Sequence, residues 1–99
     1  MFDLSDRSFE IFGQRWEMLF RDRVPTVGGK RSDGVCMMPD RTIIIRRNLA
    51  PLRMVEVVIH ELKHAHDWGK DESVIADQAL LETTILHGIG LIKDTIHDA

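Results

Sequence analysis

The stretch from Pro51 to Gly69 constrains this chain most. Proline suits the first position of a helix, where its missing N–H would have no partner and its φ is already helical. Glycine suits the position just past a helix end. Between them Val55, Ile59, Leu62 and His66 line one face at helical spacing, which predicts a helix from about Pro51 to Trp68. Its middle carries His60-Glu61-Leu62-Lys63-His64, the pattern HExxH. Histidines four residues apart stand on one face of a helix, so both imidazoles can reach a single ion. Glu61 is one position on, beside such an ion, placed to take a proton from water there. Zinc (Zn2+) is the ion this donor set suits. Average composition makes a chance HExxH in a chain this size a matter of about one in a few hundred.

The rest of the chain supplies few other punctuation marks. Ser5 or Asp6 can cap a first helix, followed by Phe9, Phe12, Trp16 and Leu19 and ending near Asp22, ahead of Pro25. Residues 25–34 read as a loop broken by Gly28-Gly29 and Asp33-Gly34. Val35–Met38 and Thr42–Ile45 around a Pro39-Asp40 turn read as a β-hairpin, its second strand rich in β-branched residues. Asp71 caps a last helix that runs to about His87 and, past Gly88 and Gly90, towards Ile96. The expectation is a single α+β domain over residues 1–99: N-terminal helix, small antiparallel sheet, HExxH helix and C-terminal helix.

Catalytic zinc commonly takes three protein ligands. The extended pattern HExxHxxGxxH fails, because Asp67 and Lys70 occupy the positions of its glycine and last histidine. A carboxylate on the last helix is the alternative. On a helical wheel Glu82 falls inside the stripe of Ile75, Ala79, Ile85, Leu86 and Ile89, and Asp77 points away. A carboxylate among apolar residues is costly unless paired or bound to metal. An antiparallel helical hairpin turning near Gly69 would bring residues 76–82 level with the histidines. Glu82 is therefore the expected third ligand, with Glu72, at the helix start where an acid also suits the dipole, as its alternative.

With these residues the chain resembles the gluzincin-type zinc metallopeptidases, which carry HExxH on one helix and a glutamate ligand on the next. The likeness covers about residues 35–90 and extends to short phage-type and ImmA/IrrE-like metallopeptidases. In the phage-type group a segment like Asp71-Glu72-Ser73-Val74 opens the next helix, which favours Glu72. The resemblance implies peptide-bond hydrolysis by metal-activated water, with Glu61 as general base and Thr42–Ile45 as an edge strand. A peptide or protein substrate would extend that strand, flanked by Arg46 and Arg47, which favour acidic residues. One departure is plain: the chain has no tyrosine to hold an oxyanion, leaving His66, His87 and His97. Gly34-Val35-Cys36 distantly resembles the cysteine ligand segment of peptide deformylases, but Lys63 stands where they carry aspartate. Cys36 reads as a structural thiol.

Charge and cysteine content narrow the remaining classes. Residues 1–50 carry nine Lys/Arg against seven Asp/Glu, and residues 51–99 four against nine. That is no nucleic-acid footprint, although Arg41, Arg46, Arg47 and Arg53 could form a local basic strip. One cysteine excludes an internal disulfide and suits a reducing compartment. Glu10, Gln14, Arg15 and Glu17 break the early apolar stretch, so no signal peptide or membrane span is expected, and the location expected is cytoplasmic. A monomer or weak oligomer is expected. Two other functions fit the pattern: a regulatory or protein-interaction module that keeps the metal, and a helical interaction domain without one.

Overall fold

Trp16, Met18 and Phe20 are buried while Arg15, Glu17 and Arg21 are exposed, an alternation only a strand can produce. The computed structural model describes residues 4–67, 69 and 71–90. Its elements are β1 (Arg7–Ile11), β2 (Gln14–Arg21), β3 (Gly34–Met37), β4 (Thr42–Arg46), α1 (Pro51–His66) and α2 (Glu72–Gly88). The α+β class holds, with a four-stranded mixed sheet and two helices. The expected N-terminal helix does not form; the segment is a β-hairpin instead. Phe9 pairs with Trp16 and Ile11 with Gln14, leaving Phe12-Gly13 as a two-residue loop. Both loop residues have positive φ (49° and 78°), as tight hairpins of this hand require. The spacing of Phe9, Phe12, Trp16 and Leu19 fits a helix by coincidence, for Phe12 is 88% exposed at the turn.

The sheet order is β1-β2-β4-β3. The loop after β2 carries the chain to the far edge, where β3 runs, and a short turn returns β4 into the gap. There β4 pairs in parallel with β2 and antiparallel with β3. The expected β3–β4 hairpin is present, but Thr42–Ile45 is not an edge strand. It is interior and hydrogen-bonded on both sides, so no peptide can extend it. Its β-branched run is what a strand enclosed between neighbours requires, and Ile43 and Ile45 are fully buried. The edge beside the helices is β3.

One face of the sheet packs on α1. Trp16, Met18, Phe20, Ile43 and Ile45 meet Met54, Val57 and Ala65 in a single cluster. Each fully buried large side chain contributes roughly 1.5–3 kcal/mol. Pro51 opens α1 as expected, and α1 ends at His66 with Asp67 as C-cap. Asp71 caps α2, its carboxylate accepting from the Ser73 backbone N–H at 2.8 Å. Ile75, Ala79 and Thr83 form the buried side of α2. The expected extension past Gly90 to Ile96 lies outside the described residues. Among the described residues no helix is long and apolar enough to cross a membrane.

Candidate metal centre

Three donors converge where α2 begins against α1. His60 Nε2 lies 3.2 Å from His64 Nε2, as the i, i+4 spacing on α1 dictates. The Glu72 carboxylate spans the pair, with Oε1 2.8 Å from His60 Nε2 and Oε2 2.5 Å from His64 Nε2. The three side chains can each offer one atom within 4.8 Å of the others. Ligand atoms around a tetrahedral zinc are about 3.3–3.4 Å apart, from bond lengths of about 2.0–2.1 Å. The histidine pair already has that separation, and two neutral nitrogens with one carboxylate suit the ion chemically. His60, His64 and Glu72 therefore fit a divalent metal.

Glu82 is elsewhere. Its Oε1 lies 2.6 Å from Lys63 Nζ, on a side chain only 15% exposed. Ile85 and Ile89 of the expected apolar stripe are exposed and Glu82 is only half-buried; the partner of its carboxylate is an ammonium rather than a metal. Asp77 is exposed and outside the cluster. The sequence signal for Glu72 was its place at a capped helix start. Level antiparallel packing of α2 along α1 would set Glu82 rather than Glu72 beside the histidines. Glu72 and Glu82 are ten residues, about 15 Å, apart along α2. Both nonetheless meet the 60–64 turn of α1, so α2 is inclined across α1.

Glu61 is buried on the side of α1 that faces β3. Gly34 permits this approach: a Cβ there would sit 2.8 Å from Val57 Cγ1, 3.0 Å from Glu61 Cγ and 3.1 Å from Glu61 Oε2. Burial pushes the Glu61 carboxyl up to about 7, and the charge of Glu72 adds to the shift. Burial likewise pushes the Cys36 thiol up to about 11, with Glu61 contributing. Cys36 is thus a protonated, half-buried thiol outside the donor group, consistent with a structural role.

An open cleft of about 630 Å³ reaches from these residues across β3 to the loop before it. His60, Glu61, His64 and Glu72 line one part and Lys30 to Asp33 another. His66 and His87 are exposed and do not line the cleft, and His97 lies outside the described residues. Arg46 faces the cleft, but is paired with Asp33; Arg47 is turned to Asp22. No family model, curated protein or solved structure matches the chain.

Proposed function

We propose that the chain is a zinc-dependent metallopeptidase in which His60, His64 and Glu72 hold the ion and Glu61 is the general base. The observation that carries this reading is the placement of a buried carboxylate next in sequence to a two-histidine, one-carboxylate donor set, at the floor of an open cleft. Zinc, when bound, supplies Lewis acidity and makes water acidic enough to deprotonate near neutral pH.

The protein's own groups do the rest. Glu61 is buried next in sequence to His60 and lines the same cleft, the position from which a general base takes up and returns a proton. It accepts one from the attacking water and delivers it to the departing amine. Gly34 keeps β3 close enough to hold the glutamate in place and limit its access to bulk water. Among the described residues the strand β3 is paired on one side only, and its other edge along the cleft is suited to pairing with the backbone of an extended peptide. Zinc content of the purified protein, with hydrolysis of an unstructured protein by wild type and Glu61→Gln, tests the reading. One zinc per chain and turnover only by wild type are the expected results.

A second reading has one observation in its favour. The chain lacks tyrosine, and among the described residues the expected oxyanion donors His66 and His87 stand outside the cleft. A metal-holding interaction module of the same fold needs no such donor. Zinc binding without turnover would select it.

A further inference from the structure

The loop wall of the cleft carries a charge that the rest of the protein does not predict. The chain is net negative, at −3, yet Lys30, Arg31, Arg46 and Arg53 all line this one cleft. Two of the four are already balanced. Asp33 Oδ2 accepts from Arg53 Nε at 3.1 Å, and Asp33 Oδ1 lies 3.3 Å from Arg46 Nε. Glu56 lies 3.3 Å from Arg53 Nη1. Lys30 and Arg31 take no ion pair among the described residues, and both are exposed. Their position is set by a tight turn: Lys30 N donates to Val27 O at 3.2 Å, with Gly28 and Gly29 at positive φ between them. Ser32 Oγ, donating to Gly34 O at 2.8 Å, ties the loop to the start of β3.

Lys30 and Arg31 line the same cleft as Gly34, Val35 and Cys36 of β3, so a chain seated along that strand shares the cleft with these two cations. Opposite charges across an interface favour the matching partner. We propose that Lys30 and Arg31 make the cleft selective for peptides that present a carboxylate at the loop end of β3. The inference rests on the peptide reading of the cleft. The carboxylate can be an acidic side chain or a free C-terminus, since both offer the same acceptor. Arg46 and Arg47, expected from sequence to fill this role, are engaged with Asp33 and Asp22 instead.

The test uses zinc-loaded Glu61→Gln protein and three labelled peptides of equal length, read by fluorescence anisotropy. One carries an internal Glu and an amidated C-terminus, the second Gln and an amide, the third Gln and a free C-terminus. At low ionic strength at least one carboxylate peptide binds about tenfold tighter than the Gln amide, and which one does so names the source. The preference shrinks in about 0.5 M salt, because exposed charges are screened. It disappears in the double variant Lys30→Glu, Arg31→Glu. Equal binding of all three, no binding of any, or a preference that survives the charge reversal overturns the proposal. Hydrolysis of the same peptides by wild type is scored separately. A carboxylate preference without hydrolysis rejects the peptidase reading and leaves the selectivity standing.

Discussion

Lys63 and Glu82 join α1 to α2 through an ion pair of 2.6 Å, one turn of α1 from the contact between His60 and Glu72. The two carboxylates thus have separate tasks: Glu82 fastens the helices together, and Glu72 completes the donor set. Glu72→Ala is expected to weaken zinc binding more than the 10–100-fold typical for an outer-sphere partner. Glu82→Ala should retain zinc and lower stability by about 1 kcal/mol or less, as for a part-exposed pair. Competition with a chromophoric chelator and thermal melting of both variants distinguish these effects.

Glu61→Gln keeps the shape of the side chain and removes its basicity. Hydrolysis should fall by about 10²–10⁴, the usual contribution of a general base, while zinc content and melting profile are preserved. Loss of zinc in Glu61→Gln to the extent seen in His60→Ala would make Glu61 a ligand and refute its role as base.

Gly34→Ala places a methyl where Val57 and Glu61 already lie, at 2.8 and 3.0 Å. Backbone and helix must separate, at about 1–3 kcal/mol, the usual cost of overpacking. Glu61 moves with the helix, so activity should fall further than zinc affinity. Denaturant unfolding beside zinc titration and kcat measurement checks this, and an unchanged kcat would disprove the coupling between Gly34 and Glu61.

Phe12 stands at φ 49° in the β1–β2 turn, almost wholly exposed. Asparagine tolerates that conformation better, so Phe12→Asn should stabilise by up to about 1 kcal/mol. Trp16→Ala, in contrast, empties a buried position and should cost about 3–5 kcal/mol. A helical N-terminus would make both substitutions destabilising, and urea unfolding of the pair decides between the two.

Asp6 accepts from Arg21 Nη1 at 2.8 Å and from the Phe20 backbone N–H at 3.2 Å, closing the open end of the same hairpin. The Arg21 hydrogen bond, opposed by desolvation and helped by the Phe20 N–H, holds the Asp6 carboxyl below its ordinary value. A lowered folded pKa stabilises above the unfolded value of about 3.9 and loses that effect as pH falls through the folded one. Wild type should therefore exceed Asp6→Asn in stability above about pH 4 and converge with it in stronger acid. A difference independent of pH, followed by circular dichroism, would rule out this linkage.

Local rules settle much of this protein without its neighbours. Pro51 and Asp71 mark two helix starts, the β-branched run of Thr42–Ile45 marks a strand, and HExxH puts two imidazoles on one face of α1. Each depends on φ, capping or spacing within a few residues. The N-terminal segment is ambiguous because its apolar residues satisfy periods of 2 and of 3.6 together, and pairing of β2 with both β1 and β4 selects the strand. Whether β4 is edge or interior is likewise a matter of topology: β3 reaches it across a short turn, but β2 reaches it from a distant part of the chain. The choice between Glu72 and Glu82 depends on the inclination of α2 across α1. Ile75, Ala79 and Thr83 are the buried side of α2, and no spacing within a single helix encodes how that side meets α1.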